Sequence, residues 1–326
     1  MKPEDGFSNF GHFGFVFKLV NVHYLKLERH ERVQLTTLNP KTDLRRVRVG
    51  CELTYNLPVS APLMFVLEVQ NRGMQRILES KQLISPMLEA GAFRRYEDRH
   101  NNLVWRVLAP QGELKIVYDV MLEVPAGLDP VLNDLPKTQI HDLPDSVIEY
   151  TLPSRYCPSD LFSAEAWDLF GNIVGGWAQV QAVCDLLYMR VAYSAGSTAS
   201  TTALEAYRSQ RAVCRDFAHM GISFCRALNI PARYVSGYLP DIGVPLTPPM
   251  DFHAWFEAYL DGAWRTFDAR HNTPRTGRVV VATGRDAADV AFSTTYGATN
   301  LANIRVWADE ASSLERLPDE IGRELR

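Results

Sequence analysis

Three residues in the second half of this 326-residue chain have the types needed for acyl-transfer chemistry: Cys214, His253 and Asp268. A thiolate attacks a carbonyl, an imidazole moves the proton, and a carboxylate fixes the tautomer of that imidazole. Cys214 opens a stretch in which Phe217, Ala218, Gly221, Ile222, Phe224, Cys225 and Leu228 recur at helical spacing. Asn229 and Pro231 end it. The cysteine therefore belongs in the first turn of a largely buried helix. There it meets unpaired N–H groups and the positive end of the helix dipole, which favour the thiolate. His253 lies in a strand pattern over 251–260, followed by the tight turn Asp261-Gly262 and a return strand over 263–267 that leads into Asp268. A hairpin about that turn brings His253 and Asp268 near each other in register, as base and orienter.

Neighbouring candidates have simpler readings. Cys225 sits about three helical turns beyond Cys214 on the same face and belongs to the core. His219 is expected to be a hydrogen-bonded structural histidine. His271 competes weakly for the base role, since it sits in a loop near Asn272 and Pro274. Asp216, with Arg215, suits the dipole at a helix start. Arg285, Asp286 and Asp289 form an ion-pair cluster walling the cleft, and Trp255 and Trp264 pack the sheet. The backbone N–H of Cys214 is the natural oxyanion donor, with a side chain from Tyr207 or Gln210 expected to assist. A zinc reading of Cys214, His253 and Asp268 lacks the closely spaced ligand pair that marks such sites. No acidic loop resembles a calcium site. No metal and no cofactor are expected.

These residues must be positioned by something. Alternation of apolar and polar residues over 47–55 and 113–124, with β-rich runs at 63–69 and 101–109, predicts a small β-sandwich over 46–125. Residues 1–45 read as a leader, poorly ordered or peripheral. Pro125, Pro130, Pro136, Pro144, Pro153 and Pro158 mark 126–158 as a linker. Helices follow: 164–173 with Ser163 as N-cap, 177–193 after Gly175-Gly176, and 203–207 capped by Thr201 or Thr202. Residues 232–239 read as a strand. Domain two is expected over 159–326.

Together, Cys214 with its helix, Ile230-Pro231-Ala232-Arg233-Tyr234-Val235-Ser236-Gly237-Tyr238, His253-Ala254-Trp255 and Trp264-Arg265-Thr266-Phe267-Asp268 resemble the core of the transglutaminase-like superfamily. The resemblance covers about 160–300. It implies an α+β, papain-like core with helices packed on an antiparallel sheet and a Cys-His-Asp triad in this chain order. The tail Gly284-Arg285-Asp286-Ala287-Ala288-Asp289-Val290-Ala291 with Thr294-Thr295-Tyr296-Gly297 further resembles bacterial transglutaminase-like proteins described as candidate cysteine proteases. Those carry a β-rich N-terminal domain, which matches the sandwich. Two departures are small: Ala212 stands where many members have Gly, and Ala269 where Pro is frequent.

The expected activity is cysteine-dependent acyl transfer on amides through a thioester. The acceptor is water (protease or amidase, including one acting on cell-wall peptides) or an amine (transglutaminase), and the bacterial resemblance leans toward water. The alternative is a catalytically inactive transglutaminase-fold protein that binds or assembles. The partner is a peptide or protein amide. A net charge of -4 and a pI near 6.1 supply no electrostatic reason for nucleic acid or an anionic membrane. The basic run between Lys41 and Arg48 reads as solvated. No window approaches eighteen uninterrupted apolar residues. Five cysteines without CxxC pairs fit a reducing compartment, so cytoplasmic residence is expected.

Overall fold

The computed structural model describes residues 43–313 and 315–317, so the expected leader lies, as far as residue 42, outside the described residues. Six strands come first: β1 (Leu44–Leu57), β2 (Ala61–Phe65), β3 (Arg76–Ser85), β4 (Phe93–Glu97), β5 (Leu103–Ala109) and β6 (Gly112–Pro125). The alternation in β1 has a direct consequence. Val47, Val49, Cys51, Leu53, Tyr55 and Leu57 are all buried, while β1 pairs antiparallel with β6 from Leu44↔Pro125 to Leu57↔Gly112. Strands β3 and β4 escaped the sequence reading because most of their residues face solvent or are half-buried, leaving little apolar pattern.

The chain then becomes helical: α1 (Asp145–Ile148), α2 (Ser163–Phe170), α3 (Gly176–Arg190), the two-residue strand β7 (Ala192–Tyr193), α4 (Ala203–Ser209), β8 (Arg211–Ala212) and α5 (Cys214–Ala227). Ser163 is the first residue of α2 rather than its cap, its hydroxyl reaching back to the Ser159 carbonyl. Thr202 does cap α4, in a capping box with Glu205. The last strands are β9 (Ala232–Tyr238), β10 (His253–Leu260), β11 (Ala263–Phe267), β12 (Val279–Gly284), β13 (Ser293–Thr295) and β14 (Asn300–Glu310).

These strands build three four-stranded antiparallel sheets, ordered β14-β1-β6-β3, β13-β2-β5-β4 and β11-β10-β9-β12. The first two meet face to face through Tyr55 against Phe65 and Trp105 against Tyr118, each pair edge-on at about 6 Å. The third carries α5 on one face. A domain running unbroken over 159–326 is not what the pairing shows: β13 joins β2, and β14 joins β1 over Val47↔Glu310 to Asn56↔Asn300. Without β14, a long edge of β1 would be left unpaired.

Helix α5 is the hub of the second half. Its Gly221 lets the Phe256 ring of β10 come so close that an added Cβ would sit 2.4 Å from a ring carbon. On the other side Phe224 receives Phe162, Phe170 and Tyr207, edge-on at 4.8–5.7 Å. The buried guanidinium of Arg226 ties the helix end down through the carbonyls of Ala232, Leu152 and Arg285. Among the described residues no helix is long and apolar enough to cross a membrane.

Candidate active site

Val213 is extended and serves as N-cap of α5, and its N–H donates to the fully buried Asp216 carboxylate at 3.0 Å. Asp216 thus closes the helix start, and Arg215 pairs with it at 3.2 Å. Cys214 follows as the first helical residue, its thiol half-buried and 3.9 Å from the Phe252 carbonyl oxygen. Its four fellow cysteines are all buried and free. Burial pushes the thiols of Cys51 and Cys157 up to about 12, and those of Cys184 and Cys225 upward too.

His253 begins β10 and pairs with Gly237 of β9. An added Cβ at Gly237 would lie 2.0 Å from the Val279 carbonyl oxygen, so glycine there lets β12 close against β9. The turn at Asp261-Gly262 holds both residues at positive φ (49° and 74°), as a two-residue hairpin of type I′ requires. The resulting register sets Phe256 opposite Phe267 and leaves Asp268 beside His253. His253 Nε2 and Asp268 Oδ2 are 2.8 Å apart, both side chains only 4% exposed. With Nε2 committed to the carboxylate, Nδ1 is the ring atom left free of Asp268; Arg270 Nη1 lies 3.4 Å from it, and the neighbouring Cys214 thiol raises the basicity of the ring. The structure therefore gathers Cys214, His253 and Asp268.

Burial lowers the basicity of His253, but the Asp268 carboxylate and the Cys214 thiol more than offset it, and the net shift is upward. Burial likewise opposes ionisation of Asp268. His253 and Arg278 win, and hold it well below the usual carboxylate range. Arg278, missed in the sequence, donates to Asp268 Oδ2 at 3.1 Å and to Asp129 at 2.9 Å, and its guanidinium lies over the Trp255 ring. Oδ1 of Asp268 accepts the backbone N–H groups of Arg270 and His271. His271 packs 5.2 Å from His253, ring to ring. Burial and nearby cations lower its pKa to about 4, which keeps it neutral.

Of the two side chains expected to assist the oxyanion, Tyr207 is turned away from the cysteine. Tyr207 donates to Glu165 at 2.5 Å, pairs with Arg190, and packs on Phe224, well along α5 from Cys214. Gln210 is exposed in a left-handed conformation at the end of α4. The physical reason is the orientation of α4, whose buried face points to α2 and α5. His219 lies fully buried between Tyr156 and Tyr234 and accepts the Ala287 N–H, a structural role. Arg285 and Asp289 do form an ion pair, at 2.9 Å, while Asp286 accepts the Tyr156 N–H. Trp264 packs on Tyr150 and Tyr259.

His253, Asp268 and His271 offer ligand atoms within 4.8 Å of one another, close enough for a metal by distance alone. Each faces a guanidinium: Arg270 at His253, Arg278 at Asp268 and Arg275 at His271. Such surroundings repel a cation. Beside His253 opens a cavity of about 600 Å³, walled by Leu239, Met250, Phe252, Phe292, Ile304 and Val306, and lined also by Tyr193, Arg270 and His271.

Residues 173–269 match the family model of the transglutaminase-like superfamily. A solved structure from Cytophaga hutchinsonii, described as a "putative cysteine protease", superimposes with a TM-score of 0.76 at 31% identity, over 84% of this chain and 93% of that one. The chain belongs to the transglutaminase-like superfamily. An uncharacterized protein of Mycobacterium leprae is 30% identical over 190 residues, 56% of this chain and 67% of its own length. One from Mycobacterium tuberculosis is 28% identical over 252 residues, 69% and 77%. The superfamily match runs over residues 173–269, so Asp129 before it and Arg278 and the β14 wall of the cavity after it lie outside. Arg270 stands two residues after Asp268 and was open to sequence reading; Arg278 carried no local signal.

Proposed function

We propose that this transglutaminase-like protein is a cysteine-dependent amide hydrolase in which Cys214 is the nucleophile, His253 the acid and base, and Asp268 the orienter. The observation that carries this is the buried 2.8 Å pair of His253 Nε2 and Asp268, with the Cys214 thiol at the start of α5 near enough to raise the basicity of the ring. The Cys214 thiolate attacks the amide carbon, forming the S–C bond and pushing the π electrons onto oxygen. That oxyanion is met by the Cys214 backbone N–H, a free donor of the first helical turn. Collapse breaks the C–N bond as His253 imidazolium gives its proton to the leaving amine. Water then attacks the thioester while Nδ1 takes a proton, and C–S cleavage returns the thiolate. The likeness to a Cytophaga protein described as a protease favours water over an amine as the acyl acceptor. Resemblance to the Cytophaga protein supports a peptide or protein substrate. The free thiols fit a reducing compartment.

The test is Cys214→Ala against libraries of peptides and glutamine amides, with and without an amine donor. We expect turnover to fall at least about 1000-fold with the fold intact. Turnover that survives the substitution would end this reading, and product found mainly as the amine adduct would replace hydrolysis by transfer.

A further inference from the structure

The atom of His253 that must serve Cys214 has a cation next to it. Arg270 Nη1 is 3.4 Å from Nδ1, and its guanidinium lies over the Tyr193 ring, 3.8 Å from the centroid. Among the described residues Arg270 has no carboxylate within ion-pair distance, unlike Arg275 and Arg278 beside it. Both acids that line the same cavity are engaged elsewhere. Asp241 pairs with Arg275 at 3.2 Å and accepts the Thr247 N–H, and Asp251, exposed, accepts the N–H of Phe252. Arg270 is therefore a partly sheltered guanidinium held over an aromatic ring, with no carboxylate paired to it among the described residues, lining a cavity of about 600 Å³ beside His253. A planar fork of donors in that setting suits a carboxylate.

We infer that Arg270 is an anion-recognising residue: it takes a carboxylate carried by the substrate next to the amide to be cleaved. Pairing with that carboxylate draws the guanidinium off Nδ1 and cancels its repulsion of the imidazolium, so the substrate's own charge readies the base. The apolar walls from Leu239, Phe252, Phe292, Ile304 and Val306 accept the side chain beside it. The preferred substrate is thus a peptide with a bulky apolar residue and a carboxylate flanking the scissile amide. This rests on Cys214 being the nucleophile.

Alkylation of Cys214 tests it without any known substrate. Thiolate displaces iodide from iodoacetate or iodoacetamide, forming S–C and breaking C–I. The two reagents differ in that one carries a carboxylate. The ratio of their rates at Cys214, read by mass spectrometry, cancels any change in thiol reactivity common to both. We expect that ratio to drop about 10- to 100-fold in Arg270→Gln and to be largely retained in Arg270→Lys. A ratio unmoved by Arg270→Gln overturns the inference while leaving the nucleophile in place. A Cys214 inert to both reagents in the unsubstituted protein overturns the reading beneath it. The source of the carboxylate is read from which ligand slows alkylation more, N-acetyl-leucine with its α-carboxylate or N-acetyl-glutamate α-amide with its side-chain carboxylate. Equal slowing by N-acetyl-leucinamide, which has neither, counts against recognition of the charge.

Discussion

Asp268 is held by one imidazole, one guanidinium and two backbone N–H groups, and this explains why a buried carboxylate stays ionised. The signs of the coupled shifts give a pH prediction. His253 is shifted upward, so its proton persists to higher pH than in a free histidine and is lost as pH rises through the folded value. Asp268 is shifted downward, so its charge is lost only in strong acid, well below the usual carboxylate range. Replacing Asp268→Asn removes the larger of the two influences that raise His253, leaving the Cys214 thiol, while burial still lowers it. We expect the alkaline limb of kcat/KM to move to lower pH and kcat to fall about 100- to 10,000-fold. A limb that stays in place in the variant would show that some other group sets it. The same substitution strands the Arg278 charge against Asp129 alone, so a loss of stability accompanies the kinetic effect.

At the scale of elements, the position of Cys214 depends on how closely α5 can approach β10. Gly221 permits it, since any Cβ would fall 2.4 Å from the Phe256 ring. In Gly221→Ala the helix must shift away from the sheet. The cost is about 1–3 kcal/mol, as for other overpacked cores. Because displacement of a nucleophile by even about 1 Å is expensive, kcat should drop on the order of 100-fold while KM changes little. Thermal denaturation and steady-state kinetics on one preparation check both. Wild-type kcat in a destabilised protein would mean that the cysteine is positioned by the preceding β8–Val213 segment rather than by the α5–β10 contact.

Across the whole molecule, the two-sheet half and the half that holds Cys214 are joined by a device that imitates strand pairing. Strand β12 is the edge of its sheet, and its outer backbone groups are met by side-chain amides. Gln75 bonds the N–H and C=O of Val280, and Asn102 those of Thr283, all at 2.9 Å. Asn102 is fully buried and braced by Asp98. Asn102→Ala leaves both groups of Thr283 without partners, a loss of about 1–3 kcal/mol in urea denaturation at unchanged m. A variant as stable as the parent would mean that water replaces the amide. The strands β13 and β14 reinforce the joint, because they leave the half that holds Cys214 to complete both sheets of the other, and β14 lends Ile304 and Val306 to the cavity wall.

The sequence by itself determined the local facts. The alternation of β1 and β6, the apolar helix opening at Cys214, and the hairpin about Asp261-Gly262 are periodic or turn-specific signals carried by neighbouring residues. From them came the proximity of His253 to Asp268. Contacts between residues far apart in the chain were decided only by tertiary structure. The return of β14 to β1 spans some 250 residues and leaves no periodic trace in either strand. The turning of Tyr207 toward Glu165 and Arg190, and the convergence of Arg270 and Arg278 on the His253–Asp268 pair, likewise depend on how whole elements pack. A charged side chain states its charge in the sequence, but its partner is chosen by burial, where an unanswered charge is costly and the fold must supply or withhold the counter-ion.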